Sequence, residues 1–262
     1  MDYRERFCTN DIYEYNVSIG KRLGTNLKVV TLKTVRKPGF ESVENCNSPP
    51  SAKCSKNDFK LENNVARART KVQEYALSNN WDYFCTFTIS KEKFDRYDLK
   101  QFYKTFAKFI NNYNTRSLPE GQHISYLIIP EKHKDGAWHM HGLISGIKPE
   151  DLYTNKYGYL VWKQYEDKFG YISMDYIKDI ERCSSYIMKY ITKDLANSIK
   201  DQEKHLYYCS KGLKTAEIVF RETNLDLGVP YDYESNDGYI KVKTFYNFFD
   251  KRDRNETDRS ER

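Results

Sequence analysis

The densest pattern of apolar and polar positions lies between residues 81 and 145. Trp81–Ile89 is aromatic and β-branched, which is typical of a buried strand. Between Leu99 and Asn112 the phenylalanines recur near the helical spacing, so this segment predicts a helix. His123–Pro130 and Trp138–Ser145 are again largely apolar and predict two strands joined by a short turn. The predicted order in this part of the chain is therefore β-α-β-β.

Outside this part the pattern is weaker. In the first sixty residues, Leu27–Val35 alternates well enough to predict one strand, and the remainder is irregular. A basic helix is expected from Asp58 to about Leu77. The other predicted elements are a strand at Phe169–Asp175, a helix at Ile180–Ile199 and short strands at 206–208 and 217–220.

Strands with helices grouped between them indicate an α+β fold, with the helices packed on one face of the sheet. We assign residues 61–225, where the pattern is regular, to the main domain. Residues 1–60 are expected to form a partly irregular N-terminal extension, and residues 226–262 a C-terminal extension. No apolar residue occurs from Asp250 onward, so the extension is expected to end in a solvated, mobile tail.

Composition and charge restrict the class of protein. The 262 residues include 43 Lys and Arg against 37 Asp and Glu, which gives a net charge of +6. That charge permits nucleic-acid binding but does not require it. No apolar run approaches the ~20 residues that span a bilayer, and the N-terminus has no apolar signal core. We therefore expect no membrane partner and a cytoplasmic location.

The first candidate site lies on the predicted hairpin. Side chains alternate along a strand, so His139 and His141 point to one face and Met140 to the other. Two imidazoles two positions apart can both reach one metal ion. The alternative is that these are solvent-facing strand residues without a ligand. His133 is expected to be a turn residue.

A third ligand depends on the register of the hairpin. A three-residue loop at Lys134–Gly136, with Gly in the left-handed last position, pairs Glu131 with His139 and places the carboxylate on the histidine face. A two-residue loop at Asp135–Gly136 instead pairs Lys132 with His139 and turns Glu131 away. We favour the first register. One carboxylate and two imidazoles with open positions suit Mg²⁺ or Mn²⁺ used with a phosphate substrate, and also fit Zn²⁺.

The second candidate site lies on the predicted helix at 180–199. Tyr186, Lys189, Tyr190 and Lys193 recur at i, i+3, i+4 and i+7, so a continuous helix places them in one stripe. A tyrosine hydroxyl can attack phosphorus, but forming the phenolate at neutral pH costs roughly 4 kcal/mol. A nearby Lys lowers that cost and offsets the phosphate charge. The alternative is a solvated surface helix.

Together these two features resemble the HUH endonucleases, in particular the rolling-circle replication initiators of phages and plasmids. The His-hydrophobe-His strand of that family corresponds to His139–His141, and its downstream Tyr-x-x-Lys-Tyr helix to Tyr186–Tyr190. An upstream Thr-x-Thr strand corresponds to Phe84–Thr88. The order and the spacing of the three motifs agree, and the resemblance covers about residues 61–222.

The resemblance implies a central antiparallel sheet of about five strands, related to the RNA-recognition-motif fold, with helices behind it. It also implies metal-dependent, site-specific nicking and joining of single-stranded or hairpin origin DNA, with no small-molecule substrate. Tyr186 would attack the scissile phosphate and stay bonded to the 5′ phosphate, and Lys189 would be the cation beside it. Tyr190 matches the second tyrosine of two-tyrosine members. Glu131 would join the two histidines as a ligand of Mg²⁺ or Mn²⁺.

Several basic residues are candidate phosphate contacts for such a DNA strand. The chain contains no G-x-x-x-x-G-K-[ST] sequence, so a helicase and a polymerase of a bacterial host are expected partners. Two alternatives stay open: a transposase or relaxase with the same chemistry, and a sheet-based nucleic-acid-binding module without catalysis. The candidate contacts are Arg67, Arg69, Lys71, Lys132 and Lys134.

Overall fold

A computed structural model describes residues 13–36, 56–199 and 205–250. The chain divides into two compact units, each with its own sheet. The larger unit is Cys54–Thr215, and the smaller one combines Met1–Lys53 with Ala216–Arg262. The two ends of the chain therefore meet in one unit, an association that the sequence pattern did not indicate. The predicted tail, apart from Asp250, lies outside the described residues.

The elements are numbered in chain order. The strands are β1 (Tyr13–Leu23), β2 (Asn26–Arg36), β3 (Tyr83–Thr88), β4 (Ser125–Lys132), β5 (Trp138–Ser145), β6 (Leu152–Thr154), β7 (Leu160–Trp162), β8 (Ile172–Tyr176), β9 (Tyr208–Cys209), β10 (Glu217–Thr223), β11 (Tyr233–Asn236) and β12 (Ile240–Phe245). The α-helices are α1 (Lys56–Ser78), α2 (Leu99–Ser117), α3 (Lys163–Phe169), α4 (Ile180–Met188) and α5 (Lys193–Ile199).

The larger unit is built on an antiparallel sheet of seven strands in the order β6-β7-β8-β3-β5-β4-β9. The α+β class is thereby confirmed. The sheet has seven strands rather than about five because the segment after β5 adds the hairpin β6–β7 at one edge and β9 pairs with β4 at the other. Strand β3 lies in the middle, beside β5 and β8, which makes the Thr-x-Thr and His-x-His strands neighbours.

Helices cover both faces of this sheet, whereas the sequence predicted one face. Phe87 packs edge-on against Phe106 of α2 and Tyr165 of α3, with ring centres 5.5 and 5.3 Å apart. Phe84, three residues earlier and so on the opposite face, packs against Tyr186 of α4 at 5.5 Å. Residues of α1 contact α4, α5 and β4. The candidate site therefore lies on the face that α1, α4 and α5 partly cover.

The predicted helix at 180–199 is wrong in one respect, because it is two helices. Helix α4 ends at Met188 and α5 begins at Lys193. Thr192 stops the continuation because its Oγ1 accepts a 3.0 Å hydrogen bond from the amide of Leu195, which makes it the N-cap of α5. Lys193 therefore leaves the predicted Tyr/Lys stripe and pairs with Glu62 of α1.

The smaller unit contains a five-stranded antiparallel sheet in the order β10-β1-β2-β12-β11. The predicted strand at 27–35 is confirmed as β2. Its apolar cluster contains Leu27, Val29 and Phe245, which are almost fully buried. Gly20 of β1 is required beside Phe220, because a Cβ there would come within 2.3 Å of the ring. In neither unit is any described helix long and apolar enough to cross a membrane.

Candidate active site

The β4–β5 hairpin has the predicted three-residue loop. Glu131 lies directly opposite His139, and the amide of His133 donates a 2.8 Å hydrogen bond to the carbonyl of Ala137. Gly136 takes the left-handed conformation, with φ of 87°, that ends such a loop. The register that places Glu131 on the histidine face is therefore confirmed.

A segment before α2 holds this turn in place. Arg96 forms an ion pair with Asp135, and its carbonyl accepts a 2.8 Å hydrogen bond from the amide of Trp138. The amide of Ala137 bonds to the Asp135 carboxylate, and this bond, with Arg96, keeps the Asp135 pKa below its ordinary value. Sequence reasoning missed Arg96, because it lies 39 residues from its partner and no local pattern marks it.

The face of the hairpin brings three imidazoles and one carboxylate together. Glu131 Oε2 lies 2.7 Å from His141 Nε2 and 3.8 Å from His133 Nε2. The rings of His133 and His139 stack with centres 3.9 Å apart. His133, which was predicted to be a turn residue, thus belongs to the same cluster as the two expected ligands.

Burial lowers the pKa of His139 and His141 below the ordinary value for histidine. The neighbouring His133 lowers both further, whereas Glu131 acts in the opposite direction. The environment therefore favours neutral imidazoles, and neutral imidazole is the form that binds metal ions.

The donor set suits a divalent cation, although its side chains are not gathered around one point. Within residues 13–36, 56–199 and 205–250, no three His, Cys, Asp or Glu side chains are grouped as a metal site requires. The Glu131 carboxylate bonds directly to His141, and His139 stacks on His133. One carboxylate and two imidazoles on one strand face still match the ligands of Mn²⁺ or Mg²⁺ chemistry. Binding would need the bond between Glu131 and His141 to open.

The two tyrosines of the second motif lie against this cluster. The ring of Tyr190 stacks on His141, with centres 4.1 Å apart and planes within 4° of parallel. Its hydroxyl donates a 2.9 Å hydrogen bond to the hydroxyl of Tyr186. Tyr186 is 46% exposed, and Lys189 Nζ lies 5.5 Å from its ring centre. The fold thus joins the histidine strand and the tyrosine helix, 45 residues apart in sequence, into one site.

Tyr190 lies in the connection between α4 and α5, and this connection is held from outside. Three successive amides, from Lys189 to Ile191, bond three residues back, which tightens the end of α4. The Nε of Arg69 on α1 then donates a 2.9 Å hydrogen bond to the carbonyl of Ile191. This bond occupies a carbonyl that the helix leaves unpaired, so α1 fixes the backbone next to Tyr190.

The hydroxyl environment differs between the two tyrosines. Burial raises the pKa of Tyr190 above the ordinary value, and its hydrogen bond to Tyr186 and the charge of Glu131 add to that shift. Tyr190 therefore keeps its proton and presents it to Tyr186. The exposed Tyr186 hydroxyl is the one that receives a hydrogen bond.

The predicted DNA contacts lie in different surroundings. Lys132 and Lys134 are exposed on the hairpin, and Lys132 Nζ lies 5.8 Å from the Trp138 ring centre. Arg67 and Lys71 line a groove of about 780 Å³ between α1, α5 and Leu206. Arg69 uses its Nε for the Ile191 carbonyl.

Comparison with known families gives one match. Residues 82–195 match the family of replication-associated ORF2 proteins. The match supports a replication initiator of the Rep type. It begins just before β3 and ends within α5, so it includes the histidine cluster and both tyrosines and leaves out Arg67, Arg69 and the smaller unit. No curated protein and no solved structure matches the chain significantly.

Proposed function

We propose that this protein initiates DNA replication by nicking and rejoining single-stranded origin DNA through a phosphotyrosine intermediate. The observation that carries the proposal is the hydrogen-bonded pair Tyr186–Tyr190, which lies against the ring of His141. The match of residues 82–195 to a replication-associated family supports the same role.

Tyr186 is the proposed nucleophile. Its oxygen is the more exposed of the two and accepts the hydrogen bond from Tyr190, which stabilises negative charge on that oxygen as it attacks. The Tyr186 oxygen forms a bond to the scissile phosphorus, and the bond from phosphorus to the 3′ oxygen breaks. The tyrosine proton passes to solvent and the 3′ oxygen gains one, which leaves a 5′-phosphotyrosine and a free 3′ hydroxyl.

Glu131, His139 and His141 are the proposed ligands of Mg²⁺ or Mn²⁺. A bound divalent ion would offset charge on the scissile phosphate and make the phosphorus more electrophilic. Lys189, whose ammonium lies near the Tyr186 ring, is the proposed cation beside the same phosphate. Rejoining is the reverse attack by a 3′ hydroxyl, so it requires no external energy source.

The exposed basic residues are proposed to hold the DNA strand. Lys132 and Lys134 on the hairpin and Arg67 on α1 can each contact a phosphate, which positions the strand without reading its sequence. Their contribution to affinity should decrease with salt.

The test is a covalent adduct that survives denaturation. The purified protein is incubated with Mn²⁺ and single-stranded oligonucleotides that span its own replicon, and the products are separated on an SDS gel. We expect an adduct that forms only with the metal and is lost in Tyr186→Phe. DNA binding without any adduct on any oligonucleotide would favour the non-catalytic nucleic-acid-binding module instead.

A further inference from the structure

We propose that Thr86 and Thr88 are positioning residues that orient His141 and His139 for metal binding through their Nε2 atoms. The inference rests on the metal site of the proposed function and adds two residues of β3 to it. Neither threonine was among the predicted site residues.

The evidence is a matched pair of contacts between neighbouring strands. Thr86 lies directly opposite His141 in the ladder between β3 and β5, and Thr88 lies directly opposite His139. Thr86 Oγ1 is 3.2 Å from His141 Nδ1, and Thr88 Oγ1 is 3.3 Å from His139 Nδ1. Both hydroxyls thus meet the same ring atom, Nδ1, and leave Nε2 free of them.

Packing alone does not require threonine at these two positions. The apolar contacts of this part of β3 are made by Phe87, which points to the opposite face and is fully buried. Thr86 and Thr88 are only half-buried. The strand is also well held at this end, because the amide of Thr88 bonds to the Tyr171 carbonyl at 3.0 Å and its carbonyl accepts from the Tyr165 hydroxyl at 3.3 Å. The two hydroxyls are therefore fixed reference points for the rings.

A hydroxyl suits this role because it can both donate and accept. With Glu131 bonded to the Nε2–H of a neutral His141, Nδ1 carries the lone pair and accepts from Thr86. When a cation replaces the proton on Nε2, the proton must be on Nδ1, and the same hydroxyl then accepts it. The threonines thus hold the ring in one orientation before and after metal binding, which a carbonyl oxygen cannot do.

The test measures metal affinity separately from DNA cleavage. Mn²⁺ binding to the full chain is followed by the electron paramagnetic resonance signal of the free ion, for the wild type, Thr86→Val, Thr88→Val and the double valine variant. Valine keeps the shape and the β-branch and removes only the hydroxyl. We expect the Mn²⁺ Kd to rise about 10- to 100-fold in the valine variants, and Thr86→Ser and Thr88→Ser to stay close to wild type.

Controls keep the outcomes separate. Thr154→Val, in the exposed strand β6, should leave the Kd unchanged, and urea unfolding checks that each variant is folded. If the wild type binds Mn²⁺ and the valine variants bind it equally well, the positioning role is overturned while the proposed function stands. If the serine variants are as weak as the valine variants, the hydroxyl is not the cause and the inference is also overturned. A wild type that forms no Mn²⁺ complex overturns the proposed metal site itself.

Discussion

The hydroxyl of Tyr190 donates a 2.9 Å hydrogen bond to the hydroxyl of Tyr186. Because Tyr190 is also stacked on His141, this bond connects the helix to the histidine cluster. Burial and the neighbouring Glu131 raise the pKa of Tyr190, so its proton is retained and directed at Tyr186. The two tyrosines therefore have different tasks in the arrangement described: Tyr186 can attack, and Tyr190 supports the charge that forms.

Replacing either tyrosine with phenylalanine should separate these tasks. We expect Tyr186→Phe to form no adduct, because the nucleophilic oxygen is gone. Tyr190→Phe should still form one, at a rate about tenfold lower, because the lost hydrogen bond to a developing charge is worth about 1.5 kcal/mol. The measurement is the initial rate of adduct formation on SDS gels with saturating Mn²⁺.

The matched control is Tyr157→Phe, since Tyr157 is 71% exposed and far from the cluster in the sequence. Its rate should equal that of the wild type. A full-rate adduct in Tyr186→Phe would transfer the role of nucleophile to Tyr190.

The part of the site that depends on local rules was predictable from the sequence. Side-chain alternation placed His139 and His141 on one face, and Gly136 at the end of a three-residue loop fixed the register that brings Glu131 beside them. Both rules involve residues fewer than ten positions apart, which is why no tertiary information was needed.

The parts that depend on distant contacts were not predictable. The apolar spacing of Ile187, Ile191 and Leu195 continues across the break between α4 and α5, and no Gly or Pro marks it. The available signal was Thr192, a good N-cap residue, but the carbonyl exposed by the break is satisfied by Arg69, 122 residues away. Only the folded chain shows that pairing.

Removing the charge of Glu131 tests the proposed metal site directly. Glu131→Gln preserves the shape of the side chain, but a neutral amide is a poorer ligand for Mn²⁺ than a carboxylate. We expect the Mn²⁺ Kd to rise more than about tenfold and adduct formation to decrease in parallel, with little change in DNA affinity at constant salt. Calorimetric titration with Mn²⁺ measures the first quantity, and fluorescence anisotropy measures the last.

Glu92→Gln is the control for the loss of one negative charge, because Glu92 is exposed in the loop after β3. It should leave all three quantities unchanged. Normal metal affinity and normal cleavage in Glu131→Gln would show that Glu131 is not a ligand.

Two arginines of the same helix should behave differently. Arg69→Met removes the hydrogen bond to the Ile191 carbonyl, so we expect the free energy of unfolding to decrease by about 1.5–3 kcal/mol. Arg67→Met removes an exposed groove residue, so its stability should stay within about 0.5 kcal/mol of wild type, and its DNA affinity should lose about one unit of salt slope. Urea unfolding and anisotropy titrations at several salt concentrations measure these effects. Equal stability of the two variants would exclude the structural role of Arg69.

Buried tyrosines should make the protein unstable in alkali. Burial raises the pKa of Tyr165 well above the ordinary value and that of Tyr83 to about 12, whereas tyrosines in an unfolded chain ionise near ~10. Above about pH 10 the unfolded state therefore binds fewer protons than the folded state, so stability is complete below that pH and decreases as the pH rises further. Tyr165→Phe removes one of these groups and should lose less stability than wild type between about pH 9 and 11. The urea midpoints of both proteins across that range measure the difference, and parallel curves would rule out Tyr165 as a contributor.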